Sequence, residues 1–244
     1  MSGRYLGVVA RSGLFLAVVY DSDGYDHTAI FEGIGELWTE YEETATQIAI
    51  DVPIGLPTDE TPRPNERAAR AILGERSETV FAAPVREASR KQRHQAATRV
   101  QRRKTGRSLS AAAFDRSNEI AAVDSFLEAI EEARPVFCEA HPEVCYTAFG
   151  GEPPEYEPSV AAGYAERMRV LAEFDRDAPP TVQSVAESTG GYELSVAAVV
   201  DAVALGLTVR PGSGSLRSLP ADPPTDDTGL SMAYVYRSES ALQG

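Results

Sequence analysis

Two carboxylates stand inside hydrocarbon-rich runs. Asp51 lies in Gln47-Ile48-Ala49-Ile50-Asp51-Val52-Pro53-Ile54-Gly55-Leu56-Pro57, and Asp201 lies in Val196-Ala197-Ala198-Val199-Val200-Asp201-Ala202-Val203-Ala204-Leu205. Removing an ionised carboxylate from water costs on the order of several kcal/mol unless a cation, a metal or hydrogen-bond donors compensate. Each acid therefore needs a partner, either a functional cation or a structural one such as an Arg salt bridge or a cap. Glu139, His141 and Glu143 form a third group in Glu139-Ala140-His141-Pro142-Glu143. If the three segments converge, Asp51, Glu139 and Asp201 make an oxygen-ligand site suited to Mg²⁺ or Mn²⁺, with His141 or Glu143 orienting water for phosphodiester cleavage. A plainer alternative stays open, in which His141 and Glu143 cap the helix that Pro142 can start, with Glu143 at its positive dipole end.

Cations are concentrated elsewhere. Between Arg86 and Arg107 stand Arg86, Arg90, Lys91, Arg93, Arg99, Arg102, Arg103, Lys104 and Arg107, with Glu87 the only acid. The whole chain carries 37 acidic against 23 basic residues, a formal net charge of -14. A basic segment on such a background can draw a phosphate backbone to one face while the remainder repels it, which makes Arg99, Arg102, Arg103, Lys104 and Arg107 candidate nucleic-acid contacts. The same side chains could instead pair with acids of their own chain. Arg63, Arg67 and Arg70 recur at helical spacing after Pro57, placed either to bind phosphate above Asp51 or to bridge Glu66. No aromatic interrupts the basic segment, so stacking readout of single-stranded bases is not indicated. Cys138 and Cys145 are too few for a disulfide framework or a zinc site and read as small buried hydrophobes.

The elements that must position these groups follow from periodicity. Tyr5 to Ala10, Leu14 to Tyr20 and roughly His27 to Phe31 are β-rich runs separated by Ser12-Gly13 and Asp21-Ser22-Asp23-Gly24, which predicts an antiparallel meander. Ile34, Leu37, Trp38 and Tyr41 share a helical face, and the Gln47 to Val52 run after them predicts a strand parallel to the first. Pro53 ends that strand, so Asp51 falls at its carboxyl end, where sites in open α/β sheets are built. About 61–132 reads as a helical insertion. Pro135 to Cys138 predicts another strand, with Glu139 and His141 at its exit. Helices are predicted over Ala161 to Phe174 and Leu194 to Val209, a mobile loop over about 211–229, and a late strand over Leu230 to Tyr236.

Length and composition fit one α/β domain over 1–244. Acid excess with only two lysines, Lys91 and Lys104, points to a halophilic protein whose charge is screened by salt. Neither a signal peptide nor a membrane-spanning run is visible, which predicts a cytoplasmic location and no membrane partner; oligomeric state is not readable.

Several of these segments, taken in order, resemble one family. They are Ile50-Asp51-Val52-Pro53-Ile54-Gly55-Leu56-Pro57, Arg63 to Arg70 with Leu73-Gly74, Val80-Phe81-Ala82-Ala83-Pro84, Glu139-Ala140-His141-Pro142-Glu143-Val144-Cys145-Tyr146, Asp201-Ala202 and Asp227-Thr228-Gly229-Leu230-Ser231-Met232. The family is catalogued as domain of unknown function 429 and regarded as predicted RNase H-like nucleases; the acidic composition suits a haloarchaeal member. The resemblance implies an RNase H-like mixed sheet flanked by helices and a nuclease using Mg²⁺ or Mn²⁺. One departure bears on chemistry. The family's opening strand reads Gly-Val-Asp, its Asp a metal ligand, whereas this chain has Gly7-Val8-Val9-Ala10. A Lys usual before the Gly163 helix is replaced near Ser159-Val160, and the acids usual before Asp201 are replaced by Ala197-Ala198-Val199. The alternative is therefore a catalytically inactive module that binds nucleic acid or a partner through 86–107.

Overall fold

The first twenty-odd residues fold on themselves because their turn chemistry forces it. Strand β1 (Arg4–Arg11) reverses into β2 (Leu14–Tyr20) through Ser12 and Gly13, both in the left-handed region at φ 53° and 80°. At the next reversal the Asp21 carboxylate accepts from the amides of Asp23 and Gly24 and leads into β3 (Tyr25–Phe31). The computed structural model describes residues 3–59 and 61–243. Helix α1 (Ile34–Tyr41) buries Ile34, Leu37, Trp38 and Tyr41 and returns the chain to β4 (Ala45–Ile50), which pairs parallel with β1. Strand β5 (Phe137–Glu139) adds parallel to β4, giving a five-stranded mixed sheet in the order β3-β2-β1-β4-β5.

Because β1, β4 and β5 run the same way, Arg11, Asp51 and Glu139 all lie at one edge of the sheet. Alternation sends Leu6, Val8 and Ala10 into a core with Leu37, Trp38 and Ile120, and Val9 into a second core on the opposite face. Helices α7 (Pro142–Gly150), α8 (Ala161–Phe174), α9 (Ala178–Ser188) and α10 (Val196–Val209) are on the side of that second core. Ten consecutive α10 residues from Val200 to Val209 are buried, as an apolar helix without a polar face must be. It lies so close to β1 that a Cβ on Gly7 would stand 2.1 Å from the Ala202 carbonyl oxygen, while one on Gly206 would meet the Tyr20 ring at 2.4 Å.

The segment expected as a helical insertion contains α2 (Pro64–Leu73), a 3-10 turn at Gly74–Thr79, α3 (Arg86–Ser89), α4 (His94–Thr105), α5 (Ala111–Asp115) and α6 (Ser117–Ala129). Two expectations need correction. The 211–229 stretch contains strand β6 (Ser215–Leu219), paired antiparallel with β7 (Tyr234–Ser238) in a separate two-stranded sheet, and the late strand starts at Tyr234 instead of Leu230. Only Leu216 and Leu219 in β6 are apolar, so periodicity does not announce it. Helix α9 was not among the predicted elements; Pro179 and Pro180 sit in its first turn, where the missing N–H costs nothing.

Candidate functional site

At the carboxyl edge of the sheet the side chain of every acid picked out from sequence is buried, and most are already answered by an arginine. Asp51 follows β4 directly. Its Oδ1 accepts from the Ala10 amide at 2.9 Å and from Arg116 Nη2 at 3.3 Å, and its Oδ2 accepts from Arg11 Nη1. The Asp51 side chain is 4% exposed against 35% for Arg11, so the carboxylate is inside and its cation partly outside. Burial alone would raise the Asp51 pKa; the charges of Arg116 and Arg11 and the Ala10 amide outweigh it and hold the carboxyl below its ordinary value.

Glu139 ends β5 and meets Arg63 as a fork. Arg63 Nη2 and Nη1 donate to the two carboxylate oxygens at 2.7 and 2.9 Å, and the Ile54 amide donates at 2.9 Å. Arg63 is 1% exposed and also donates to the Ile54 and Gly55 carbonyls and to Glu66. It thus holds the Asp51 to Pro57 segment from beneath, and as a buried, fully bonded side chain it presents nothing to a nucleic acid. Gly55, at φ 72°, packs against the Leu230 carbonyl with no room for a side chain.

Asp201 differs. No arginine touches it among the described residues, and the Tyr146 hydroxyl donates to its Oδ1 at 3.1 Å. Burial raises its pKa to about 7; Arg11 opposes this, while Glu143 and Asp51 add to it. Those influences place Asp201, Asp51, Glu143 and Arg11 in one electrostatic neighbourhood. Glu143, in the first turn of α7, accepts from Arg167 and lies 3.9 Å from Arg76 Nε, and its Oε2 has no hydrogen bond within the protein. His141 stands at the N-cap position of α7. Its Nε2 meets the Thr79 carbonyl at 3.4 Å, its Nδ1 has no protein partner, and burial lowers its pKa to about 4. At neutral pH it is an uncharged imidazole. Burial raises the pKa of both cysteine thiols, as inert structural cysteines require.

The acids do not fit a divalent-ion site in this arrangement. Both Asp51 oxygens and both Glu139 oxygens are occupied by guanidinium or amide donors, and among the described residues no three His, Cys, Asp or Glu side chains form a group able to hold a metal ion. Val9, at the opening-strand position where the resemblance implied an Asp, is fully buried.

The expected cationic contacts separate into engaged and free groups. Arg67 is exposed and donates to the Pro62 carbonyl, and Arg70 donates twice to the Val80 carbonyl. Arg86 is bound to Asp124, Asp226 and Asp227, and Arg90 to Asp124 and Glu128. On and around α4, Arg102 bonds Ser108 and Arg103 pairs with Glu87 at the surface. The side chains of Arg93, Arg99, Lys104 and Arg107 are exposed and make no hydrogen bond or ion pair among the described residues. Sequence reasoning missed Arg11, Arg116, Arg167, Arg76 and Tyr146; the only available signal was that buried acids demand cations.

Fold and site define an α/β protein with an arginine-neutralised carboxylate centre at the carboxyl edge of a mixed sheet. The chain belongs to the family described as Protein of unknown function (DUF429), which matches residues 7–225. No curated protein and no solved structure matches it significantly. Among the described residues no helix is long and apolar enough to cross a membrane.

Proposed function

We propose that this DUF429 protein is a nucleic-acid-binding module of RNase H-like architecture, contacting a phosphate backbone through α4 and its flanks while its acidic centre is held closed by arginine. The observation that carries this reading is the group of exposed, unpaired cations Arg93, Arg99, Lys104 and Arg107 on a chain of net charge -14. Free cations on a strongly anionic protein orient a polyanion toward one face. Arg102 and Arg103 extend the row, since their exposed partners are weak competitors for phosphate. Phosphate contacts release counter-ions, so affinity should fall linearly with log salt.

Fluorescence anisotropy with labelled RNA and DNA oligonucleotides across a KCl series tests it. Arg99→Gln, Lys104→Gln and Arg107→Gln together should weaken binding at least about tenfold and lower the salt slope by roughly 3. Unchanged binding in the triple variant would overturn the reading.

The competing reading is cleavage with Mg²⁺ or Mn²⁺ through Asp51, Glu139 and Asp201, with His141 or Glu143 at the water. One observation favours it, the shared electrostatic neighbourhood of Asp51 and Asp201. It requires Asp51 to part from Arg11 and Arg116. Mn²⁺-dependent cleavage that disappears in both Asp51→Asn and Asp201→Asn would establish it and displace binding alone.

A further inference from the structure

Lysine is scarce in this chain and is not scattered. Lys91 and Lys104 are the only two, every other one of the 23 basic residues being arginine, and both line one cleft of about 330 Å³ between the end of α3, the last turn of α4 and the Pro57-Thr58 segment. The other charges of the cleft are already paired. Arg86 is bound by Asp124, Asp226 and Asp227, Arg90 by Asp124 and Glu128, and Glu87 by Arg103. What remains is two ammonium groups with no hydrogen bond or ion pair among the described residues, Lys91 half-buried and Lys104 exposed. Thr58, exposed in the same cleft, adds a hydroxyl donor, and the buried Pro57 and Val85 form the apolar part of the wall.

We infer that this cleft is a binding site for a phosphomonoester dianion, either the terminal phosphate of a nucleic-acid strand or the phosphate of a free mononucleotide. The charge count selects that class. A phosphomonoester carries a charge of about -2 near neutral pH and three acceptor oxygens, whereas an internal phosphodiester or a carboxylate carries a single charge and would leave one ammonium unanswered. Lysine suits such a ligand. Each is a compact point charge with rotatable donors on a flexible stem, so two tips from different elements can converge on one group's oxygens without the planar registry that an arginine fork demands. The cleft takes Lys104 in common with the proposed nucleic-acid contact and to that extent rests on it, while Lys91 and Thr58 belong to the cleft alone.

Because the chain holds two lysines, acylation by an amine-reactive ester, resolved by peptide mass spectrometry, reports on this cleft with no other side chain contributing. The measurement is made on the full chain at the lowest KCl at which it stays folded and at matched ionic strength, since salt screens the attraction. Adenosine 5′-monophosphate should slow acylation of Lys91 and Lys104 together, and adenosine should leave both unchanged. In fluorescence anisotropy, oligonucleotides with a terminal phosphate should bind at least about tenfold more tightly than the same strands ending in hydroxyls, and Lys91→Gln should abolish that preference. Protection by the mononucleotide without an end preference assigns the cleft to free mononucleotides, and the end preference without that protection assigns it to strand ends. Neither protection nor end preference overturns the inference, as does an end preference that Lys91→Gln leaves intact. A Lys91→Gln variant that weakens phosphorylated and unphosphorylated strands equally also overturns it, and leaves the proposed function standing with Lys91 as one more backbone contact. Mononucleotide protection in a chain that binds no oligonucleotide does the reverse, retiring the proposed function and keeping the cleft. The labelling uses the unaltered chain, so it decides the matter even where melting shows that Lys91→Gln does not fold.

Discussion

Arg11, the last residue of β1, reaches across the parallel pairing to the carboxylate of Asp51, the first residue after β4. Arg116, from the junction of α5 and α6, reaches the same carboxylate from another side. The two guanidinium groups supply the positive charge that a buried carboxylate at this edge of the sheet requires.

Neutralising that pair should therefore cost stability without any metal being involved. Arg116→Gln with Arg11→Gln leaves Asp51 buried and unpaired, a loss of about 3–5 kcal/mol by the usual behaviour of broken buried pairs. Arg11→Gln alone should cost about 1–2 kcal/mol, since its side chain is one-third exposed and partly screened. Urea denaturation reads both. Wild-type melting should be indifferent to Mn²⁺ and to chelator; a rise with Mn²⁺ would contradict the closed centre.

The Asp51 interaction also has a pH signature. Its folded pKa is depressed, so its contribution is complete above the unfolded value of about 3.9 and is lost as pH falls through the lower folded value. Asp51→Asn should flatten the acid limb of a stability profile below about pH 4.

Asp201 has the opposite sign. With its folded pKa at about 7 against roughly 3.9 unfolded, the native state binds the extra proton in between. Stability should fall as pH rises from about 4 to about 7 and level off above. Asp201→Asn, which keeps the acceptor for Tyr146, should remove this slope and stabilise the protein at pH 8 by on the order of a few kcal/mol. No gain at pH 8 would show that Asp201 has a cationic partner in solution.

Arg63 should tolerate no replacement. Arg63→Lys keeps the charge but cannot form the fork to Glu139 while bonding Glu66 and two carbonyls, so a loss of about 3–5 kcal/mol is expected even for this conservative change. Thermal melting in molar KCl provides the measurement.

Screening provides a last prediction. With a net charge of -14, the melting temperature should rise from low to molar KCl as surface repulsion is suppressed. Equal or greater stability at low salt would remove the halophilic reading.

How much of this was legible in the sequence depends on range. The hairpins announced themselves through Ser12-Gly13 and Asp21 to Gly24, where turn geometry is local, and β4 through its β-branched run and Pro53. The burial of Asp51 and Asp201 was legible too, because hydrocarbon flanks them, whereas Glu139 was legible only as the exit of a strand. Their partners were not: Arg11, Arg116 and Arg63 stand 40, 65 and 76 positions away in sequence. An arginine carries no mark of which acid it will meet, and with acids in excess many pairings satisfy the same composition. Helix α9 and strand β6 were hidden for a different reason, since Pro179-Pro180 and the polar Ser215 to Ser218 stretch run against the usual patterns.

The contact of Gly7 with Ala202 and Gly206 fixes more than a packing distance. With no side chain between them, strand and helix meet backbone to backbone, and Asp201, immediately before Ala202, stands on the helix that lies against the strand of Ala10, whose amide holds Asp51. Removing the Arg11 guanidinium therefore changes the field at both carboxylates. A charge variant at this edge is therefore read in the titration of Asp201 as well as of Asp51.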